Sequence, residues 1–249
     1  MVSAASVATG SAALVASAEP THVSMGLPIS FSKVTSQNWA GYAVNGATFN
    51  DVQGTWTQPA VVGSCTSAAR YASFWVGIDG YSSTTVEQIG TDSDCTGGHA
   101  SYYAWYEMFP ANSVTISSLT IHPGDVLTAQ VKVSGTSFTL SLKDATSKQS
   151  FSIKKTSASA TKSSAEWIAE SPEICSTTCS LAKLNNFGTV HFTNCEAATG
   201  AGLLPISSFT GSSGPHEITM TNSAHTKDRA VPSALGSTGK SFSITWKSY

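Results

Sequence analysis

The stretch Val-Leu-Thr-Ala-Gln-Val-Lys-Val at residues 126–133 indicates how this chain folds, together with Phe-Thr-Leu-Ser-Leu at 138–142. In both segments apolar and polar residues alternate, which is typical of strands with one buried face. The intervening Ser-Gly-Thr at 134–136 is a turn signal. The sequence therefore predicts two antiparallel strands joined by a tight turn.

The same two-residue period recurs along the chain. It is found at residues 151–153, 189–193, 216–220 and 241–246. Further turn signals separate these segments, and helical periodicity is absent apart from a possible turn near 180–184. Short strands with polar turns predict an all-β fold, an antiparallel β-sandwich. The Ser/Thr/Lys-rich stretch 154–164 is expected to be an exposed loop rather than a domain linker.

The amino-terminal 36 residues have a different character. They lack periodicity, and Ala-Ser-Ala at 16–18 resembles the small-x-small end of a secretory signal. No lysine or arginine precedes Lys33, so the charged start of such a signal is missing. We expect residues 1–36 to be a poorly ordered leader or prosegment and residues 37–249 to form one domain. A signal, an autocleaved prosegment and a low-complexity tail all remain open.

Composition narrows the function classes. Only 11% of residues are charged and the net charge is −2, with no lysine or arginine cluster. Nucleic acid is therefore not expected as a partner. No apolar run is long enough to predict a membrane span. A surface with few carboxylates loses little stability in acid, so we expect a secreted protein. Nothing in the sequence suggests more than a monomer.

The five cysteines are Cys65, Cys95, Cys175, Cys179 and Cys195. Their spacing does not match a zinc site, so no metal is expected. We favour two disulfides, Cys65 with Cys95 and Cys175 with Cys179, and one buried thiol, although the sequence leaves the pairing open. Disulfides would place the protein in an oxidising compartment.

Acidic residues beside tryptophan are the candidates for chemistry. Trp105 and Glu107 share one face of a predicted strand, and so do Glu166 and Glu170. Such a face is either exposed to solvent or lines a cleft. Asp79 follows an apolar strand, where a carboxylate either caps a turn or belongs to a site.

Several blocks of this sequence resemble the glutamic peptidases, the pepstatin-insensitive acid proteases called eqolisins. The blocks are Trp-Val-Gly-Ile-Asp-Gly at 75–80, Gln-Ile-Gly-Thr-Asp at 88–92, Ala-Trp-Tyr-Glu-Met-Phe-Pro at 104–110 and Ala-Glu-Trp-Ile-Ala-Glu at 165–170. Asn-Trp-Ala-Gly-Tyr at 38–42 resembles the start of the mature family domain. The resemblance covers about residues 37–247 in the family order.

This resemblance implies a sandwich of two long curved antiparallel sheets, a concanavalin-like jelly roll, with a cleft on its concave face. It also implies a secreted acid endopeptidase that cleaves polypeptides without a cofactor. The catalytic pair would be Gln88 and Glu170, the second acid of its block rather than Glu166. Six residues would support the pair and line the substrate sites: Trp39, Trp75, Asp79, Asp92, Trp105 and Glu107.

The chain departs from the family pattern at Tyr103, where an aspartate is usual, and at Phe109, where a tyrosine is common. Loss of the aspartate is expected to shift the pH optimum.

Two other function classes fit the same residue types. A glycoside hydrolase would use Glu107 with Glu170 or Glu166 and would not need Gln88. A carbohydrate-binding β-sandwich would use the aromatic residues for stacking without catalysis.

Overall fold

The computed structural model describes residues 34–175 and 179–249, and within them the chain is built almost entirely of strands. The first nine are β1 Val34–Ser36, β2 Trp39–Asn45, β3 Asp51–Thr57, β4 Ser73–Ile78, β5 Val86–Thr96, β6 His99–Phe109, β7 Val114–Thr115, β8 Val126–Ser134 and β9 Ser137–Asp144. The remaining nine are β10 Gln149–Thr156, β11 Ser164–Glu170, β12 Glu173–Cys175, β13 Cys179–Leu181, β14 Thr189–Ala198, β15 Leu204–Pro205, β16 His216–Thr221, β17 Asp228–Pro232 and β18 Phe242–Trp246. Two short 3₁₀ turns cover Ile206–Ser208 and Gly211–Ser213.

The strands form a sandwich of two layers. Hydrogen bonding runs in the order β10-β9-β8-β3-β14-β18-β17-β16-β2-β11-β4-β5-β6-β7. We call β16 through β7 the front layer and β10 through β17 the back layer; β4 and β5 of the front pack against β8 of the back. Pairing along this path is antiparallel, which confirms the predicted antiparallel β-sandwich.

Strand alternation places the core between the layers. In β11, Ala165, Trp167 and Ala169 join the main apolar cluster, and Phe74 and Val76 of β4 do the same. The neighbouring residues of each strand point to the opposite side of the front layer, which we call the site face. The site face is also buried, around a second cluster that includes Trp39, Trp75, Trp105 and Ile168.

A tight hairpin places two long strands of the front layer side by side. Gly97 and Gly98 connect β5 to β6, and both have positive φ, +58° and +84°. Two residues of positive φ form the turn whose twist suits an antiparallel hairpin, and glycine adopts that conformation without strain. The hairpin fixes the register of β5 against β6 over eleven residue pairs.

The predicted loop, the possible turn and the cysteine pairing can each be compared with the structure. Residues 154–156 continue β10, so the predicted loop is shortened to 157–163, and residues 180–181 are extended rather than helical. The disulfides Cys65–Cys95 and Cys175–Cys179 are present, and Cys195 is a buried free thiol.

Residues 34–36, which we assigned to the leader, form β1 and pair with β16. The rest of the predicted leader lies outside the described residues. Among the described residues, no helix is long and apolar enough to cross a membrane.

Candidate active site

The site face carries a straight row of functional side chains across the front layer. Glu166 of β11 is opposite Gly77 of β4, Gly77 is opposite Gln88 of β5, and Gln88 is opposite Glu107 of β6. Directly opposed residues of antiparallel strands point to the same side of the sheet. We call these four residues the Glu166 row.

Gly77 leaves the space in which Glu166 and Gln88 can meet. A Cβ atom at Gly77 would lie 3.0 Å from Cζ3 of Trp75 and 3.2 Å from Cβ of Gln88, closer than ordinary contacts. Because strands are about 4.8 Å apart, the Cα atoms of Glu166 and Gln88 lie about 10 Å apart, and both side chains point to the site face on either side of Gly77.

Gln88 is held by one neighbour and leaves its oxygen available. Its Nε2 donates to Oε2 of Glu107 at 2.6 Å. Among the described residues, no well-aligned hydrogen-bond donor reaches Oε1 of Gln88 or either carboxylate oxygen of Glu166, although the Ser164 hydroxyl and the Tyr81 backbone N–H lie near Glu166. Both side chains are almost fully buried, so these oxygens are polar groups aimed into a confined space. Buried polar atoms without partners are uncommon in proteins and mark a place where a ligand or substrate can bind.

Burial dominates the electrostatics of Glu166. It raises the pKa of this carboxyl well above its usual range, and the charges of Asp79 and Glu87 raise the pKa further. The nearby Ser164 hydroxyl and Tyr81 backbone N–H act in the opposite direction and lower the pKa, but by less than burial raises it. A lone carboxylate is expensive to bury because it loses its hydration, so the protonated form is favoured until a compensating group acts on it.

Glu170 lies in a different row. It is opposite Ser73, which is opposite Asp92, and we call these three residues the Glu170 row. At about 3.3 Å per residue, four residues separate the rows by about 13 Å along the strands, in addition to the sideways distance of about 10 Å between Glu170 and Gln88. The sequence-based pairing of Gln88 with Glu170 is therefore not brought together by the fold.

The indole of Trp75 stands between the two rows. Its Nε1 donates to Oε2 of Glu170 at 2.8 Å, while its six-membered ring lies beside Gly77. Asn38 Nδ2 also donates to Oε1 of Glu170 at 3.2 Å. Trp39 packs edge-on against Trp75 with ring centroids 5.0 Å apart. Glu170 thus anchors the aromatic wall of the site.

Asp92 has a similar anchoring function. It accepts hydrogen bonds from Trp105 Nε1 at 2.5 Å and from the Tyr103 hydroxyl at 2.9 Å. The same hydroxyl lies 2.9 Å from Oδ2 of Asp94. Tyr103, where the resemblance led us to expect an aspartate, therefore places its hydroxyl between two carboxyl groups. Asp94 was not among the sequence-based candidates.

Asp79 lies at the end of β4, outside the row. It has a positive φ of 72° and accepts hydrogen bonds from the backbone N–H groups of Lys162 and Ser163 and from the Thr161 hydroxyl. It fastens the 157–163 loop, in agreement with the turn-capping alternative. Beside it, burial and the charge of Asp79 raise the pKa of Glu87 to about 8.

One group of described residues brings metal-binding atoms together. Glu173, Cys175 and Cys179 have ligand atoms within 4.8 Å of one another. The two cysteines are bonded to each other, however, so neither offers a thiolate to a metal.

With this geometry established, the comparison with known proteins becomes informative. The Peptidase A4 family model matches residues 37–246. This chain belongs to the peptidase A4 family.

Individual relatives agree with this membership. Aspergillopepsin-2 of Aspergillus niger is 29% identical over 233 residues, covering 85% of this chain and 78% of the relative. Scytalidopepsin B of Scytalidium lignicola is 34% identical over 171 residues, covering 65% of this chain and 64% of the relative. A crystal structure of scytalido-glutamic peptidase with a transition-state analogue inhibitor superposes with a TM-score of 0.72, at 25% identity over 85% of this chain and 99% of that one.

These similarities confirm the expected enzyme class for this peptidase A4 member, a glutamic endopeptidase of the eqolisin group. They do not favour the glycoside hydrolase or the carbohydrate-binding protein that the residue types alone allowed.

Proposed function

We propose that this glutamic endopeptidase hydrolyses peptide bonds with Gln88 and Glu166 as its catalytic pair, in place of the Gln88–Glu170 pair favoured by sequence. The observation that carries the proposal is the register Glu166–Gly77–Gln88, which leaves only a glycine between the two side chains. The Trp75 indole separates Glu170 from Gln88, and its Nε1 donates a hydrogen bond to Glu170.

Glu166 would act as the general base. An ionised Glu166 accepts a proton from a water molecule held over Gly77 and later returns that proton to the departing amine. No well-aligned donor reaches its two oxygens among the described residues, so they are available to the water. Because burial raises the pKa of Glu166, this function in acid requires a group that favours the ionised form.

Gln88 would stabilise the oxyanion. One N–H of its amide is engaged by Glu107, which fixes the amide orientation, and the second N–H can donate to the developing negative charge. Removing one donor of this kind typically costs about 10²–10³ in rate. Glu107 is thus a positioning residue for Gln88.

The substrates we propose are unfolded or extended polypeptides. A strand-like peptide bound at the site face would meet the side chains of Trp39, Trp75 and Trp105. These side chains are buried in this structure, so substrate binding requires the face to become accessible. A crystal structure of scytalido-glutamic peptidase with a peptide-based transition-state analogue supports a substrate of this class. The two disulfides support secretion into an oxidising compartment, and we propose that the enzyme acts there as a monomer.

Cleavage of denatured casein tests the proposal with three proteins: the wild type, Glu166→Gln and Glu170→Gln. The assay covers about pH 2 to 7, the range in which carboxyl groups titrate. We expect acid-dependent cleavage by the wild type and a loss of at least ~10³ in kcat/KM for Glu166→Gln, because a general base and its charge are removed. The matched variant Glu170→Gln should stay within about tenfold of wild type and lose thermal stability instead, because it weakens the hydrogen bonds that Glu170 accepts. The reverse outcome, an active Glu166→Gln and an inactive but folded Glu170→Gln, would restore the sequence-based assignment.

A further inference from the structure

A histidine lies at the other end of the Glu166 row. His216 of β16 is opposite Ala43 of β2, and Ala43 is opposite Glu166. Extended by these two residues, the row reads His216–Ala43–Glu166–Gly77–Gln88–Glu107, with a small residue on each side of Glu166. Along this row Ala43 alone lies between His216 and Glu166, as Gly77 alone lies between Glu166 and Gln88. Nothing in the sequence marked this histidine.

Tyr81 lies next to both His216 and Glu166. Its ring stacks on the His216 ring, with centroids 4.9 Å apart and an angle of 15° between the planes. Its backbone N–H lies close to Glu166, and the charge of Glu166 contributes to a raised pKa of the Tyr81 phenol. The imidazole is buried and its Nε2 is 3.1 Å from Oδ1 of Asn45, which holds the ring on the site face.

The other charged and titratable groups around this site do not favour an ionised Glu166. Asp79 and Glu87 are acids that raise its pKa, and Glu107 of β6 adds a further carboxyl beyond Gln88. Glu217 points to the opposite side of β16, where it accepts a hydrogen bond from Tyr42. Among the cations, Arg229 is bound to Gln37, Ser171 and Ala182 near the Glu170 row, and Lys162 lies beside Asp79 and Glu87.

We propose that His216 is a positioning residue that acts through Glu166: its imidazolium, one alanine away, keeps the Glu166 carboxylate ionised in acid. This inference rests on the proposed function of Glu166 as the general base. Burial lowers the pKa of His216 from 6.5. An acid protease works at pH values below the pKa of an ordinary imidazole, where the protonated form is favoured. A positive charge near a carboxyl favours its ionised form, which offsets the effect of burial on Glu166.

The pH dependence of kcat/KM separates this function from a purely structural one. Its acid limb reports the ionisation of the essential base in the free enzyme, here coupled to His216. For His216→Phe, which keeps a ring on Tyr81, and for His216→Gln, which keeps a donor for Asn45, we expect the limb to move upward by about one pH unit. On the limb this is about a tenfold loss, and the rates converge with wild type at higher pH, where Glu166 ionises without help.

A histidine on the back layer gives the matched control. His191 of β14 is exposed and contacts Ser243 at 2.7 Å, so His191→Gln should leave the acid limb unchanged. An equal loss at every pH in both folded His216 variants, or an unmoved limb, would overturn the proposal.

A second measurement does not depend on the folding of the His216 variants. Because coupling between two sites is reciprocal, Glu166→Gln must lower the pKa of His216 by the same amount as His216 lowers that of Glu166. Titration of the histidine Cε1 resonances by NMR in wild type and Glu166→Gln measures this shift, and an unchanged His216 pKa would contradict the inference. An inactive Glu166→Gln with an unmoved His216 pKa would refute only this inference, whereas a fully active Glu166→Gln would refute the proposed function itself.

Discussion

The Glu166 row and the Glu170 row lie on the same face of the same strands, yet their acids are in opposite situations. Glu170 and Asp92 accept hydrogen bonds from tryptophan Nε1 atoms, and these bonds fix the aromatic wall. Glu166 is equally buried, but no well-aligned donor reaches its carboxylate oxygens among the described residues. A carboxylate whose hydrogen bonds are made within the protein stabilises the fold, whereas one kept without them is available to a substrate or a water molecule.

The largest effect is expected at the middle residues of the two rows, Gly77 and Ser73, which separate the side chains on either side of them. Gly77→Ala would place a methyl group between Glu166 and Gln88, against Trp75 Cζ3 at 3.0 Å and Gln88 Cβ at 3.2 Å. We expect kcat/KM to fall by about 10²-fold, because displacing a catalytic group by ~1 Å costs that much. Kinetics on a peptide substrate, with far-UV circular dichroism to confirm folding, measures the effect.

The corresponding change in the Glu170 row is Ser73→Ala. Ser73 is buried, and its hydroxyl has no partner among the described residues, so removing it should change neither activity nor stability by much. If Ser73→Ala impaired catalysis as strongly as Gly77→Ala, the two rows would not differ in function.

A weaker effect is expected from Trp75→Phe, which removes the Nε1 donor to Glu170 but keeps a ring beside Gly77. The buried carboxylate loses a charge-assisted hydrogen bond, so the free energy of unfolding should fall by about 2–3 kcal/mol. We expect kcat/KM to remain within about tenfold. Chemical denaturation and kinetics on the same sample measure the two effects. A fall in kcat/KM well beyond tenfold in the folded variant would place Trp75 and Glu170 in the catalytic machinery.

The smallest effect on acid activity is expected at Glu87, which affects stability at higher pH. Its pKa is raised from 4.5 to about 8, so the folded state favours the protonated form. For an acid with a raised pKa, the stabilisation is complete below the unfolded value of 4.5 and is lost as the pH rises through about 8.

Glu87→Gln should therefore remove much of the loss of stability between pH 4.5 and pH 8 and leave acid activity unchanged. Thermal unfolding at both pH values measures it. A variant whose stability still falls as steeply as that of wild type would show that Glu87 does not titrate in this range.

Much of the fold could be predicted because burial on one face leaves a visible period of two. The segments 126–133 and 138–142 became β8 and β9, and the predicted turn at 134–136 lies between them. The front layer was harder to predict from period alone, since both of its faces are buried and β11 has no exposed residue. There the family resemblance supplied what alternation could not.

Which glutamate lies level with Gln88 could not be predicted from the sequence, because register between distant strands decides it. Glu166 and Glu170 lie on the same side of one strand, and a motif alone does not say which of them is opposite Gln88. Pairing of β11 with β4 and of β4 with β5 determines this through Gly77. His216 was missed for the same reason, since it is fifty residues away in sequence and reaches the row only through β2.

A structure of the enzyme with a peptide-based transition-state analogue tests the central claim most directly. We expect the analogue's tetrahedral hydroxyl to lie over Gly77, within about 2.6–3.2 Å of both the Glu166 carboxylate and the Gln88 amide, with Glu170 still bound to Trp75. An analogue whose tetrahedral centre contacts Glu170 and leaves Glu166 untouched would contradict it.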